Sequence, residues 1–165
     1  MLVLYQGLSY SIPYDNNELV NIAKKYVGTI EIGKNRGILQ DSVNKYVGNT
    51  LGSPYCMAFV MYCIEQIKPN IYKKTGLATA FKGKRLIKAI DVIYRKEKVK
   101  KGYVIIWQKG NGIFGHAGIA SENWQYISGE TIQANIIKNG KEGIWIKEAK
   151  IEPYNYFRII RFWEI

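Results

Sequence analysis

The sequence predicts an α+β domain in which N-terminal helices pack on a C-terminal antiparallel β-sheet, and three observations carry that prediction. Apolar residues recur at helical spacing through the first half of the chain. From residue 103 onward, short β-rich segments alternate with Gly, Asn and Lys turns. The 165 residues, 47% hydrophobic and 22% charged, match one ordinary domain with enough apolar material to bury a core. With no internal repeat or low-complexity tract, residues 1–165 are read as a single domain whose core spans about 15–163.

Asp15-x-x-Glu18 has the form of a capping box, and Leu19, Ile22, Ala23, Tyr26 and Val27 follow on one helical face until Gly28. After the turn-rich stretch 33–37, Leu39, Val43, Tyr46 and Val47 share a face, and Gly48 is placed as a C-cap. A loop containing Asn49, Gly52, Ser53 and Pro54 then leads to Tyr55 and Cys56. The run 57–67 is apolar nearly all round, as befits a core helix. A fourth helix is expected over 84–95, presenting Leu86, Ile87, Ile90 and Ile93, before the basic run 96–101. Strands are expected at 103–107, 114–121, 124–132, 143–147 and 156–163.

Several chemistries are excluded by residue supply. One His and two Cys are too few and too scattered for a zinc site of His and Cys ligands. Neither G-x-S-x-G nor a phosphate-binding glycine loop occurs. Cys56 and Cys63 lie two turns apart on one expected helix, about 10 Å between Cα atoms, too far for a disulfide. That fits synthesis in a reducing cytoplasm. The opening residues lack a basic, then long apolar, signal pattern, and no run approaches ~20 apolar residues. The expectation is a chain with no signal peptide and no transmembrane segment, delivered to any external site of action by something else.

Cys56 is the sharpest candidate for chemistry. A helix N-terminus offers unpaired N–H groups and a positive dipole end, which acidify a thiol and can receive an acyl oxyanion. Cys63, deeper in the apolar helix, reads as core. The chain's one histidine, His116, lies on an expected strand among small residues, which leave room beside the imidazole for a substrate. A third group should accept a hydrogen bond from the other ring nitrogen. If 114–121 and 124–132 form a hairpin turning near Asn123, Glu130 falls opposite His116; Asn135, whose amide oxygen can do the same work, is the rival.

These residues resemble the CHAP domains, cysteine- and histidine-dependent amidohydrolases/peptidases of papain-like fold, many of which cut bacterial peptidoglycan. Glu31-Ile-Gly-Lys-Asn35-Arg-Gly37 is similar to E-x-x-x-N-x-G, and Gly52-Ser-Pro-Tyr-Cys56-Met-Ala-Phe-Val60 to G-x-P-W-C-A-A-F-V. Lys101-Gly102-Tyr103-Val-Ile-Ile-Trp107 resembles P-G-D-[IV]-[IV], and Gly115-His116-Ala-Gly118-Ile119 resembles G-H-V-G-I. The family's I-E-G-N-T element is matched either by Ile127-Ser-Gly-Glu130-Thr131 or by Ile132-Gln-Ala-Asn135, so the third residue stays open between Glu130 and Asn135. Tyr55 replaces the usual Trp, which would keep an aromatic wall at the cleft, and Tyr103 replaces the usual Asp.

The resemblance implies Cys56 as nucleophile, His116 as general base and then acid, and acyl transfer from a peptidoglycan amide with no metal or organic cofactor. The bond would be in the stem peptide or cross-bridge, or between muramic acid and L-Ala. A phage endolysin or virion-associated lysin is the expected setting, with an exported amidase as the alternative, acting as a monomer unless built into a virion. A formal charge of +11 suits a polyanionic wall. Rival readings are an amidase or peptidase on a non-wall substrate, a wall-binding or structural protein without catalysis, and a basic nucleic-acid binder. The last is disfavoured because no RNP-like aromatic motif occurs and the basic residues are dispersed.

Overall fold

The computed structural model describes residues 16–152 and 158–165. Three helices, α1 (Asn16–Lys24), α2 (Ile38–Val47) and α3 (Cys56–Glu65), come first in the chain. A six-stranded sheet follows, made of β1 (Arg85–Lys88), β2 (Val104–Lys109), β3 (Gly115–Ala120), β4 (Ser128–Lys138), β5 (Lys141–Lys150) and β6 (Arg158–Glu164). Its order is β1-β6-β2-β3-β4-β5, with every neighbouring pair antiparallel. The expected α+β class with helices before an antiparallel sheet is therefore observed.

The core follows from the apolar pattern. Helix α3 buries Met57, Ala58, Phe59, Val60, Cys63 and Ile64, and packs against α1 and α2 on one side and β3 on the other. The sheet gives this helical face Val104, Ile106, Ala117, Ile119, Ile132, Ala134 and Ile144. Its second face holds a separate cluster with Ile87, Ile105, Ala120 and Phe162, covered by Val92 and Trp124. Because side chains alternate along a strand, Ala117 and Ile119 point toward α3 while His116 and Gly118 belong to the second face. Gly48 caps α2 as expected: at φ 78° it is left-handed, and its N–H donates to the carbonyls of Asn44 and Lys45.

Three expectations are corrected. Residues 84–95 do not form one helix: Leu86 pairs with Trp163 and Ile87 with Phe162 in β1, and only α4 (Ala89–Ile93) is helical. The apolar spacing there suits either period over so short a run, and the last strand supplies backbone partners that decide for sheet; Ile87 is buried while Ile90 stays exposed. The strand expected at 124–132 begins at Ser128 and runs to Lys138, because 121–127 is a loop that inserts Trp124 into the second core. Its partner β5 is likewise longer than the expected 143–147, since the β4–β5 hairpin turns at Asn139-Gly140, both at positive φ (52° and 73°). The capping residue Asp15, the opening segment, and the expected strand start at 156 lie outside the described residues. No described helix is long and apolar enough to cross a membrane.

Candidate active site

Cys56 is the first residue of α3, and the loop before it is held from two sides. Asn35 Nδ2 donates to the Gly52 carbonyl and Asn44 Nδ2 to that of Ser53, each at 2.9 Å. Tyr55 occupies the N-cap position, and its carbonyl accepts the first helical bond from Phe59 N–H at 2.8 Å. Tyr55 is fully buried, with Gln40 Nε2 donating to its hydroxyl at 3.5 Å, so it packs inside the domain instead of walling the cleft.

The Cys56 side chain meets β3 at the backbone N–H of Ala117, the residue after His116. Cys56 thus reaches β3 from the helical face at the residue next to His116, whose own strand position belongs to the second face. The expected acidification is not observed. Burial pushes the thiol above its ordinary value, and the opposing N–H groups of Ala117, Met57 and Cys56 itself do not overcome it. The residue is only 6% exposed, so the cost of a desolvated thiolate outweighs the helix-end N–H groups. Cys63 is fully buried in the core, and its thiol is likewise pushed up by burial.

His116 is half-buried on β3, paired with Trp107 of β2, whose ring lies 5.5 Å from the imidazole at a tilt of 34°. Its Nε2 is 2.9 Å from Gln133 Oε1 on β4. Gln133 Nε2 in turn donates to Thr131 Oγ1 at 2.7 Å, and the Thr131 hydroxyl donates to the Lys147 carbonyl of β5 at 2.7 Å. Gly118 sits directly opposite Gln133. A Cβ there would come within 3.0 Å of Gln133 Cγ and 3.2 Å of Trp107 Cζ3. The space this glycine leaves is therefore filled by the two side chains that flank the imidazole, and not by room for a substrate.

Glu130 is not the group beside His116. The expected hairpin aligned residues whose numbers sum to about 246, whereas the observed pairs Gly118–Gln133, Ile119–Ile132 and Ala120–Thr131 are offset by five. That shift puts the Glu130 carbonyl on the Ser121 N–H at 3.0 Å, about 16 Å along β3 from His116. Being odd, it also moves Glu130 to the strand face of Ile132, away from the imidazole. Asn135 has a different task. At φ 61° on the β4 irregularity, it donates through Nδ2 to Asn35 Oδ1 and Glu142 Oε1, both at 2.7 Å. Together with the 2.6 Å bond from Asn35 N–H to Glu31, this ties the segment 31–35 to the sheet beside the Cys56 loop.

A cleft of about 860 Å³ opens on the second face of the sheet, with Trp107, Phe114, His116, Gln133, Asn135 and Lys147 among its walls. Phe114 is 75% exposed and gives it an apolar rim, while Lys109 and Lys150 stand with Glu148 and Glu152 at its border. Cys56 does not line it. Among the described residues, no cluster of three or more His, Cys, Asp or Glu side chains could hold a metal. No protein-family model matches the chain, and no curated protein matches it.

Proposed function

We propose that the chain is a papain-like cysteine amidohydrolase of the CHAP type that cuts an amide bond in peptidoglycan. The observation that carries this reading is the convergence on β3: a cysteine at the start of a buried helix meets Ala117, and the adjacent His116 is held through Nε2 by Gln133. In the resemblance, Gln133 takes the carboxylate's place in the element Ile132-Gln-Ala-Asn135, so an amide does the work of the usual Glu.

Proton bookkeeping follows from the bond at Nε2. With Nε2–H donating to Gln133, Nδ1 is the basic nitrogen. It takes the Cys56 proton as sulfur attacks the carbonyl carbon, and the raised thiol pKa makes that transfer part of the attack instead of a prior ionisation. The Cys56 backbone N–H at the helix start stabilises the oxyanion. Nδ1–H then protonates the departing amine, leaving a thioester. Water, deprotonated by Nδ1, hydrolyses the thioester, and the proton returns to sulfur. Gln133 acts only by orienting the imidazole.

The charge of +11 favours a wall rich in carboxylates and phosphates, and the proposed setting is a phage endolysin or virion lysin. Mass spectrometry of fragments from a panel of purified peptidoglycans tests the reading with wild type, Cys56→Ala and Cys63→Ala. New amine and carboxyl ends are expected from wild type and Cys63→Ala only. No release from any wall by a folded protein would remove peptidoglycan as the substrate.

A further inference from the structure

We infer that Thr131 is a positioning residue that fixes the Gln133 amide and, through it, the tautomer of His116. The inference deepens the proposed reaction and rests on it for the catalytic consequence, though not for the tautomer itself. It starts from the Lys147 carbonyl, which can only accept. Thr131 Oγ1 lies 2.7 Å from that oxygen, a separation that needs a hydrogen between two electron-rich atoms, so the hydroxyl proton points to Lys147.

The remaining steps are forced. With its one hydrogen committed, Thr131 Oγ1 can only accept from Gln133, 2.7 Å away, and that end of the amide must be the NH₂. The other end is then the carbonyl oxygen, and it faces His116 Nε2 at 2.9 Å. Two oxygens or nitrogens with lone pairs cannot share that distance, so Nε2 carries the hydrogen and Nδ1 keeps the lone pair in the neutral ring. Thr131 and Gln133 are both buried, which removes water as an alternative partner and makes an inverted amide costly. A carboxylate at 133 would need no such device, because both its oxygens accept. An amide has a wrong way round, and the hydroxyl two residues earlier on the same strand face excludes it.

The chain contains one histidine, so the imidazole of the intact protein can be read without assignment by long-range ¹H–¹⁵N correlation of uniformly labelled material. Wild type is expected to show the Nε2–H tautomer above the imidazole titration, and Thr131→Ser the same. Thr131→Val is expected to admit the Nδ1–H tautomer and to slow Cys56 alkylation by iodoacetamide roughly twofold to tenfold. Where peptidoglycan is cut, the loss should fall on kcat and spare KM. The double variant Thr131→Val, Gln133→Glu should restore Nε2–H. An Nδ1–H ring in wild type, or an unchanged tautomer in Thr131→Val, overturns the inference. Should Thr131→Val fail to fold, Thr131→Ala and the wild-type spectrum decide in the same way. An Nε2–H ring under Thr131 control, in a protein that cuts no wall, would sink the peptidoglycan reading and leave this inference standing.

Discussion

His116 Nε2 and Gln133 Oε1 lie 2.9 Å apart across the β3–β4 pair, two residues along β3 from the Gly118–Gln133 pairing that brings them together. Gln133 is thus the residue whose loss should free the imidazole to rotate. Gln133→Ala is expected to lower kcat for amide cleavage about 10²-fold while KM stays within roughly twofold. Gln133→Glu should keep part of the activity, because one carboxylate oxygen can still hold Nε2–H while the other meets Thr131 Oγ1, whose one hydrogen the Lys147 carbonyl already takes. The added negative charge beside an imidazolium should move the acid limb of the pH–rate profile to higher pH. Steady-state rates of fragment release across pH check both. An unaltered kcat in Gln133→Ala would show that the bond does not matter for turnover.

A side chain at Gly118 should crowd the groups around His116. Its missing Cβ would press on Gln133 Cγ at 3.0 Å, the Ile132 carbonyl at 3.1 Å and Trp107 Cζ3 at 3.2 Å. The backbone oxygen cannot yield, so the two side chains framing His116 must. Gly118→Ala is expected to fold with a loss of about 1–3 kcal/mol, measured by urea denaturation, and to lose activity out of proportion to that cost. Full activity in a folded Gly118→Ala would mean that the packing around His116 is loose.

Much of this arrangement was legible from the residues themselves. The all-apolar run after Cys56 could only be a buried helix, and the small-residue segment around His116 read correctly as a strand. The third group is not legible in the same way, because register is set by the β3–β4 turn, and the loop 121–127 bends inward to bury Trp124 instead of making a tight hairpin near Asn123. The turn signal that does govern β4 is Asn139-Gly140. Read with buried Ile132 and Ala134, it would have put Thr131 and Gln133 together on the opposite face. Thiol acidity is not legible for a different reason: helix position is visible in sequence, but the depth of burial that outweighs it is a property of the packed domain.

Asn135 makes a separable structural contribution. Its side chain bridges Asn35 and Glu142, and its backbone adopts φ 61°, which Gly accepts and Ala resists. Asn135→Ala should cost about 1–3 kcal/mol from the unpaired partners, with backbone strain in addition. Asn135→Gly should lose the bonds without the strain and lie between Ala and wild type in urea midpoint. Equal midpoints for Gly and Ala would assign the whole effect to the hydrogen bonds.

Alkaline pH should destabilise the fold through its buried thiols. Burial holds the Cys63 thiol, and to a lesser depth Cys56, above the ordinary cysteine value, which the unfolded chain recovers. Below about pH 8.5 both states keep the proton, and the stabilising contribution is complete. Above it the unfolded chain loses the proton first and binds fewer protons than the native state, so stability falls by up to about 1.4 kcal/mol per pH unit for each such group until its folded pKa is reached. Tyr55, also pushed up by burial, joins this loss above about pH 10. Urea midpoints measured from about pH 7 to pH 10 should therefore decline steeply past the thiol range. Cys63→Ala should begin lower, for the cavity it leaves, yet decline less steeply because one titrating group is gone. The slope is the diagnostic quantity, and an identical slope in wild type and Cys63→Ala would show that Cys63 ionises as readily in the folded protein as in the unfolded one.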